Sequence, residues 1–354
     1  MGALDGVIIG PGTLKTIGSV IAEIAPTKRV FLCADKTVMN ILGSRVVGIL
    51  ESAGLDVRSR SFVAGEASKS LDCASDLFNW LAGEGTERRE PLIALGGGVT
   101  GDLVGFVAAT YGRGIPLIQI PTTLLAQIDS SIGGKVAIDL SAGKNLVGAF
   151  YPATRIIIDP DVLVSLDRPQ LIADYAEVVK TAVLFDADMF TLVENSKSKL
   201  DDPKLLANLV DRCIHWKAKI VDQDPSDRGL RAILNYGHTI AHAIEATTGY
   251  GTYRHGEAVA VGMAGAGQLA AHTGRWTKSD AARQEKLLSD IGLPVHFHSS
   301  TVNKLLDSIQ RDKKVQSGRV RWVLPDAIGR ASINIDVDPQ LVKSVLVDLM
   351  ADPT

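Results

Sequence analysis

Short apolar runs alternate with helix-like segments through the first half of the chain, and this alternation restricts the fold more than any other feature. The runs at 29–34, 56–63 and 91–95 are typical of buried or half-buried strands, and the segments 38–53 and 70–84 between them have a helical pattern. Strands that alternate with helices in this way form parallel sheets covered on both faces. The sequence therefore predicts an α/β fold built on a parallel sheet.

The pattern changes near Pro169, after a last strand-like run at 155–159. From about Asp167 onward the chain is helical with few strand signals, although residues 319–325 alternate as a lone late strand would. A chain of 354 residues is long enough for two hydrophobic cores. We therefore predict a Rossmann-like, parallel-sheet α/β domain over residues 1–167 and a mostly α-helical domain over residues 168–354.

Composition argues against several classes of protein. The net charge is -3 and charged residues are 22%, so no global charge attracts nucleic acid or a membrane surface. No uncharged stretch reaches membrane-spanning length, and the first residues have no signal-peptide pattern. Cys33, Cys73 and Cys213 form no C-x-x-C pair and are expected to be reduced thiols. These features predict a cytoplasmic protein with no nucleic-acid or membrane partner.

A glycine-rich turn follows the run at 91–95 directly and leads into a helix-like segment. Its sequence is Gly96-Gly97-Gly98-Val99-Thr100-Gly101-Asp102. Bare N–H groups at a helix start, together with the helix dipole, bind phosphate. The motif differs from the usual G-x-G-x-x-G of dinucleotide-binding folds, and a plain tight turn is the alternative. Its position after a strand favours phosphate binding.

Polar residues also end two other predicted strands. Asp35 follows the run at 29–34, where a carboxylate can bind ribose hydroxyls or cap the next helix. Thr122 and Thr123 follow the run at 116–121 in the same way. Because the carboxyl ends of parallel strands meet at one edge of the sheet, these side chains are expected at the ligand-binding edge.

Three cations lie near glycines in this half of the chain. Lys135 and Lys144 each follow a glycine in segments with the composition of polar loops, and Arg113 lies upstream between two glycines. A solvated surface charge is the ordinary explanation for a single lysine. The group of three favours a pocket for an anionic substrate.

Histidines and a carboxylate in the second half indicate a metal site. His238 and His242 are four residues apart and share a helix face, and His255 opens a second apolar helix. Glu177 is the natural third ligand, although with Lys180 it could equally form an ordinary ion pair. Two imidazoles and a carboxylate make a catalytic zinc-type site. Core or capping histidines are the alternative, and the spacing does not say which two imidazoles bind a metal.

Seven motifs follow one another in a fixed order between residues 96 and 259. They are Gly96-Gly97-Gly98-x-x-Gly101-Asp102, Pro121-Thr122-Thr123-Leu124-Leu125-Ala126-Gln127-x-Asp129-Ser130-Ser131, Gly133-Gly134-Lys135, Gly143-Lys144-Asn145-Leu146, Ala176-Glu177-Val178-Val179-Lys180, Leu234-Asn235-x-Gly237-His238-Thr239 and His255-Gly256-Glu257-Ala258-Val259. Together they resemble the motifs of the 3-dehydroquinate synthase family. A match at this many ordered positions is far more specific than any one motif.

The resemblance implies a lyase of the shikimate pathway, in aromatic amino-acid biosynthesis, that converts 3-deoxy-D-arabino-heptulosonate 7-phosphate to 3-dehydroquinate and phosphate. It implies catalytic NAD, a bound Zn²⁺ or Co²⁺ ion and a homodimer. A substrate that carries a carboxylate and a phosphate needs several cations, which this chain supplies. NAD would perform the redox steps, while the protein supplies positioning and electrostatics.

The resemblance also implies roles for residues at matching positions. The implied metal ligands are Glu177, His238 and His255, and His242 becomes a substrate-side residue. The implied NAD contacts are Asp35, Glu66, Lys69, Gly97, Gly98, Val99, Gly101, Asp102, Thr122, Thr123, Asp129 and Lys144. The implied substrate contacts are Arg113, Lys135, Lys144, Asn145, Lys180, Lys217, Arg231, Asn235, His242 and one of Lys313 and Lys314.

The chain departs from the family pattern at a few positions. Pro225 replaces an acid, Asp174 replaces a glycine and Val136 replaces a threonine. The segment Ser165-Leu166-Asp167 replaces a Thr-Leu-Pro turn, which puts NAD contacts from that turn in doubt. None of these changes removes an implied ligand or cation.

Three other functions compete with this interpretation. A related sugar-phosphate cyclase would act on a different sugar phosphate, and a metal-dependent alcohol dehydrogenase would release NADH and need fewer cations. A non-catalytic metal- or NAD-binding regulator would be expected to lose Lys135, Lys180 or Arg231, and the chain keeps all three.

Overall fold

The computed structural model describes residues 2–249, 251–298, 301–311, 315–316, 319–334 and 337–350. The chain divides into two compact units. The sheet unit comprises Met1–Leu166 and Leu206–Asp222, and the helical unit comprises Asp167–Leu205 and Gln223–Thr354. The predicted fold class is confirmed. The division into domains at residue 167 stays a prediction, and it differs from the two units in the placement of Leu206–Asp222.

The strands of the described residues are short. In chain order they are β1 (Val7–Ile9), β2 (Arg29–Asp35), β3 (Asp56–Phe62), β4 (Leu92–Gly96), β5 (Leu117–Pro121), β6 (Lys135–Leu140), β7 (Gly143–Phe150), β8 (Arg155–Ile158), β9 (Val315–Gln316), β10 (Arg319–Val320), β11 (Trp322–Ala327) and β12 (Arg330–Asn334).

The helices include one long N-terminal segment in which a π-helical stretch, Met39–Gly43, joins α2 to α3. In chain order the α-helices are α1 (Ile17–Ala22), α2 (Lys36–Val38), α3 (Ser44–Ser52), α4 (Leu71–Gly83), α5 (Gly98–Thr110), α6 (Arg168–Phe185), α7 (Ala187–Ser196), α8 (Pro203–Gln223), α9 (His238–Thr248), α10 (His255–His272), α11 (Lys278–Asp290), α12 (Val302–Arg311) and α13 (Pro339–Asp348).

Six parallel strands form the main sheet in the order β1-β8-β5-β4-β2-β3. The register pairs Ala34 with Leu95 and Leu95 with Ile120. The C-terminal ends of β2, β4 and β5 therefore lie side by side, which places Asp35, the glycine turn and Thr122 at one edge. Five of the six strands coincide with predicted runs, and only β1 was not predicted.

Hydrophobic residues cover both faces of this sheet. Val30, Leu32 and Ala34 pack in one buried cluster with residues of α1 and α3. Phe31 and Cys33 face the other way, into a cluster with residues of α4 and α5. Successive strand residues point to opposite faces, so a strand covered on both sides is apolar throughout. This explains why the strands appear in the sequence as continuous apolar runs.

An antiparallel hairpin replaces the predicted polar loops around Lys135 and Lys144. Strands β6 and β7 pair with each other and not with the main sheet. The prediction was wrong because most of β7 is exposed, so its sequence lacks the alternation of a half-buried strand. Val136 of β6 is buried against Gly105 of α5, where an added Cβ would lie 2.3 Å from Val136 Cγ1.

The helical unit is built around α10, most of whose residues are buried. The predicted lone late strand at 319–325 is divided between β10 and β11. Each pairs with another strand in an antiparallel ribbon, β10 with β9 and β11 with β12, so neither is alone. Among the described residues, no helix is both long and apolar enough to cross a lipid bilayer.

Candidate active site

Three helices of the helical unit bring together Glu177, His238 and His255. Glu177 lies in α6, and the two histidines are the first residues of α9 and α10. One ligand atom from each residue lies within 4.8 Å of the other two. A carboxylate oxygen and two imidazole nitrogens at this spacing are a donor set that suits a divalent transition metal.

Glu177 is the most buried member of the cluster, with 1% of its side chain exposed. Its Oε2 forms an ion pair with Lys180, one helical turn further along α6. Its Oε1 lies 3.5 Å from His238 Nε2 and 4.0 Å from His255 Nε2. Oε2 is engaged by Lys180, whereas Oε1 accepts no hydrogen bond within the described part of the chain. A buried carboxylate with unused acceptor capacity beside two imidazoles fits a bound cation.

Both imidazoles are oriented through their second nitrogen. His238 Nδ1 lies 3.0 Å from the carbonyl oxygen of Tyr236, and His255 Nδ1 lies 3.4 Å from Glu245 Oε1. An acceptor at Nδ1 favours the tautomer with the proton there, which leaves the Nε2 lone pair directed toward Glu177. Metal-binding histidines are usually held in this way.

The pKa of His255 responds to two opposing influences. Burial lowers this pKa, whereas the hydrogen bond and negative charge of Glu245, with a further contribution from Glu177, raise it, and the net direction is upward. The upward direction reflects the two carboxylates that face the imidazole, those of Glu245 and Glu177. Such a field also favours a bound cation.

His242 lies beside the cluster but outside the set of ligand atoms. Its ring centroid is 5.6 Å from that of His238 and 6.4 Å from that of His255. The shared helix face that the spacing predicts is therefore present. The structure brings together the three residues that the resemblance implies as ligands, and it leaves His242 next to them.

Close backbone packing fixes the position of His238. Gly237, immediately before α9, has a φ of 78°, and a Cβ there would lie 2.9 Å from the carbonyl oxygen of Val259. A Cβ on Gly262 of α10 would lie 2.0 Å from the carbonyl oxygen of Gly237. Only glycine allows this approach, because any side chain would push α10 away from the start of α9.

A buried hydrogen-bond network supports the same turn, and the sequence offered no sign of it. Tyr236 Oη donates to Gln284 Oε1 of α11 at 2.6 Å, and Gln284 Nε2 donates to the carbonyl oxygen of Met263 at 2.9 Å. Both side chains are fully buried. Through Tyr236, the network ties the turn that contains Asn235 and Gly237 to α10 and α11.

Two acidic residues of the site were also missed by sequence reasoning. Glu245 lies seven residues after His238, a spacing that places both on one face of α9 and could have revealed it. Asp224 accepts hydrogen bonds from the backbone N–H groups of Arg228, Gly229 and Arg231, and these bonds lower its pKa. Asp224 thus holds the loop that carries Arg231.

Arg231 and Asn235 belong to the 3₁₀ segment that precedes α9. Arg231 is 4% exposed, and Asn235 Nδ2 donates to the carbonyl oxygen of Ala232 at 3.1 Å. The buried lysines and arginines of the described residues are Lys69, Lys180 and Arg231, and all three were predicted as site residues. Buried cations are rare unless they have a partner or a function.

In the sheet unit, the predicted nucleotide-binding residues cluster at the edge formed by β2, β4 and β5. Asp35 Oδ1 accepts hydrogen bonds from the N–H groups of Thr37 and Val38, at 2.8 and 3.0 Å. The predicted helix cap is therefore present, and the ribose contact stays a prediction. The N-cap residue of α5 is Gly97, which has no side chain with which to cap the helix start. Its first N–H groups fit an anion.

Lys69 organises a polar cluster next to this edge. Its ammonium group forms an ion pair with Asp102 at 2.6 Å and hydrogen bonds to Asn145 Oδ1. The backbone N–H of Asn145 donates to Asp139 at 2.8 Å, and Lys144 lies 3.5 Å from Glu66. Burial raises the pKa of Asp102 to about 6, although the positive charge of Lys69 opposes the shift.

The remaining predicted residues are more dispersed. Lys217 of α8 forms an ion pair with Asp129, so it belongs to the sheet unit and not to the helical half where the sequence placed it. Lys135 and Arg113 are exposed. Arg113 lies beyond the C-terminal end of α5, about 18 Å along the helix from the glycine turn, at 1.5 Å per residue. The structure does not bring it to that cluster. Lys313 and Lys314 lie outside the described residues.

Two departures from the family pattern have local structural roles. Asp167 caps α6 by accepting the backbone N–H of Gln170 at 3.2 Å. Asp174 is buried, and its Oδ1 accepts a hydrogen bond from Gln170 Nε2 at 2.7 Å.

Solved structures with this fold include two synthases that are each 27% identical to this chain. One is ValA, a 2-epi-5-epi-valiolone synthase from Streptomyces hygroscopicus with NAD⁺ and Zn²⁺ bound, with a TM-score of 0.90. The other is a 2-deoxy-scyllo-inosose synthase complexed with carbaglucose-6-phosphate, NAD⁺ and Co²⁺, with a TM-score of 0.88. Each comparison covers 97% of this chain and 96% of the other. The fold is therefore that of these two synthases.

Comparison of sequences identifies the family more specifically than comparison of folds. Models of the 3-dehydroquinate synthase N-terminal and C-terminal regions match residues 60–173 and 174–315. A 3-dehydroquinate synthase from Nostoc punctiforme is 42% identical over 346 residues, which cover 96% of this chain and 95% of that protein. The chain belongs to the 3-dehydroquinate synthase family. The resemblance drawn from the motifs is thereby confirmed, while the roles of individual residues stay predictions.

Proposed function

We propose that this chain catalyses the conversion of 3-deoxy-D-arabino-heptulosonate 7-phosphate to 3-dehydroquinate and phosphate, with catalytic NAD and a divalent metal ion. Family membership supports the reaction. The observation that carries the proposal is the convergence of Glu177, His238 and His255 from three helices.

Glu177, His238 and His255 would hold Zn²⁺ or Co²⁺. The donor set of one carboxylate and two imidazoles leaves coordination positions for substrate oxygens, as in catalytic metal sites. The unused acceptor capacity of Glu177 and the Nδ1 contacts of both histidines support this assignment. The two synthases of the same fold were described with Zn²⁺ and with Co²⁺.

The sheet unit would bind NAD at the edge formed by β2, β4 and β5. The start of α5 offers backbone N–H groups to the pyrophosphate, and the glycines there let it approach the backbone. Asp35 would bind ribose hydroxyls while it caps α2. Thr122, Thr123 and the cluster around Lys69 would complete the site. Both synthases of the same fold were described with NAD⁺.

When bound, NAD would take a hydride from a substrate carbon and later return it, and the metal ion would polarise the reacting hydroxyl. The residues of the chain would orient the substrate and neutralise its charge. Lys180 and Arg231, both buried, would attract the phosphate and carboxylate of the substrate. Asn235 and His242 would hydrogen bond to its hydroxyls, and His242 can also accept or release a proton.

Several predicted substrate contacts in the sheet unit already have partners. Lys144, Asn145 and Lys217 each form a polar contact there with an acid or Lys69. To bind substrate, each of these residues would have to give up its present contact or make a second one. Arg113, Lys135 and one of Lys313 and Lys314 remain predictions from the resemblance alone.

We also propose a homodimer in the cytoplasm. Four large apolar residues of the β6–β7 hairpin are 37–57% exposed, namely Leu140, Leu146, Val147 and Phe150. Grouped apolar exposure is typical of protein–protein contact surfaces. Cys33, Cys73 and Cys213 form no disulfide bond, which supports a reducing compartment. Light scattering after size-exclusion chromatography would measure the mass of the assembly, and a monomer at micromolar concentration would refute the dimer.

The proposed reaction is tested with purified protein, the heptulosonate phosphate, catalytic NAD and Zn²⁺ or Co²⁺. Release of phosphate without net formation of NADH is expected. Accumulation of NADH would identify a dehydrogenase instead. Turnover of other sugar phosphates but not of this one would identify a related cyclase, and no turnover of any would favour a regulator.

Two histidines at opposite ends of α10 give a matched test of the metal assignment. His255→Ala is expected to lower metal content and turnover together. His272→Ala removes an exposed imidazole whose Nδ1 contacts only the carbonyl oxygen of Gln268 among the described contacts, and it should change neither. Full metal content and activity in His255→Ala would rule out His255 as a ligand.

A further inference from the structure

Each ring nitrogen of His255 faces a carboxylate. Nε2 lies 4.0 Å from Glu177 Oε1, and Nδ1 lies 3.4 Å from Glu245 Oε1. The Nδ1 atom of His238 has a different partner from that of His255, because it faces the backbone carbonyl of Tyr236. The two candidate ligands therefore differ in the charge of the group behind them.

Glu245 is placed for this contact by α9. It lies seven residues after His238, which is two helical turns, so both side chains leave the same face of the helix. Its side chain is 6% exposed, whereas that of His255 is 37% exposed. His255 is therefore partly open to solvent, and the buried carboxylate of Glu245 contacts its Nδ1.

A carboxylate behind a metal-binding imidazole has two effects. It accepts the Nδ1 proton and so keeps the Nε2 lone pair available for the metal. Its negative charge also makes the imidazole a stronger donor. A neutral amide at the same position would provide only the first effect. Keeping a carboxylate buried is costly, so a structural role alone would be served better by glutamine.

We propose that Glu245 is a positioning residue that orients His255 and strengthens metal binding at the cluster of Glu177, His238 and His255. The inference rests on the metal centre of the proposed function. It adds a fourth residue, which the family resemblance did not assign, to the three implied ligands.

The test measures Zn²⁺ affinity by competition with a chromophoric chelator, without NAD or substrate. Glu245→Ala should weaken Zn²⁺ binding by about 10- to 100-fold, the range found for such supporting residues. Glu245→Gln retains an acceptor but loses the charge, and it should weaken binding by less. The visible spectrum of bound Co²⁺ should also change in both variants, because the orientation of one ligand changes.

Glu194→Gln is the matched control. Glu194 is another carboxylate of the helical unit, and it accepts two hydrogen bonds from Arg283, at 2.9 and 2.6 Å. Its replacement should lower thermal stability without changing Zn²⁺ affinity or the Co²⁺ spectrum. If Glu245→Ala does not fold, Glu245→Gln decides the question, since its side chain has nearly the same shape.

Wild-type Zn²⁺ affinity and Co²⁺ spectrum in the folded Glu245 variants would overturn the inference while the metal centre stands. Failure of the wild-type protein to bind Zn²⁺ would overturn the metal centre and this inference together. Weakened binding in the variants, combined with an absence of synthase turnover in the wild type, would refute the proposed reaction and leave the role of Glu245 intact.

Discussion

Replacing Gly262 with alanine tests whether backbone contact between α10 and the start of α9 sets the geometry of the metal cluster. The new Cβ would lie 2.0 Å from the carbonyl oxygen of Gly237, 2.8 Å from its carbonyl carbon and 3.2 Å from the nitrogen of Ala241. All three atoms are backbone, so no side chain can rotate to relieve the clash. The two helices must separate by about 1 Å or more to restore ordinary contact distances.

The expected loss of stability is about 3 kcal/mol, at the upper end of the range for overpacking a core. Alanine has a higher helix propensity than glycine by about 1 kcal/mol, which offsets part of the loss. A net loss of about 2 kcal/mol is therefore expected by calorimetry. His238 directly follows Gly237, so it moves relative to His255 and Glu177. Metal sites tolerate displacements of only about 0.2 Å, and Zn²⁺ affinity should fall at least about tenfold.

Gly48→Ala is the matched control, because Gly48 lies within α3 and has no atom within 4 Å of its Cβ position. This variant should gain about 0.5–1 kcal/mol of stability and bind Zn²⁺ normally. Unchanged stability and affinity in Gly262→Ala would refute the packing argument. Lower stability with unchanged affinity would show that the helix contact does not control the metal cluster.

Three further predictions concern buried polar groups. Tyr236→Phe leaves Gln284 Oε1 without its 2.6 Å donor and should cost about 1–3 kcal/mol in urea unfolding. Adding Gln284→Leu should then cost less than it does in the wild type, and strictly additive losses would argue against a coupled network. Lys180→Met breaks the buried ion pair with Glu177 and should cost about 3–5 kcal/mol in metal-free protein. The loss should be smaller with saturating Zn²⁺, which would neutralise the same carboxylate, and equal losses in both states would speak against metal binding by Glu177. The pKa of Asp102 is about 6 in the folded protein and 3.8 in the unfolded reference, so folding takes up a proton between these values. The stabilising contribution is complete below pH 3.8 and is lost as the pH rises through 6. Wild-type stability, followed by urea unfolding, should therefore fall by roughly 2 kcal/mol more than that of Asp102→Asn between pH 4 and 7, and parallel profiles would contradict the shift.

Local sequence patterns were enough to predict the parallel sheet, a phosphate-binding turn and a metal site. Buried parallel strands are apolar on both faces, so β2, β4 and β5 could be recognised as continuous runs. The glycine turn after β4 and the i, i+4 histidines of α9 also have short-range signatures, because their geometry arises within one turn or one helix. The resemblance to a known family then added the ligand set that spacing alone could not select.

Residues far apart in the chain were placed only by tertiary structure. The separation of α6, α9 and α10 decides which imidazole nitrogens face Glu177. The close approach at Gly262 helps to set that separation. Lys217 could not be assigned to Asp129 from its surroundings in sequence, because the two residues are 88 positions apart and α8 brings them together. The β6–β7 hairpin was missed because exposed strands carry little periodicity. Glu245 and Gln284 become meaningful only when their partners on other helices are known, since a buried polar residue is explained by what it bonds to.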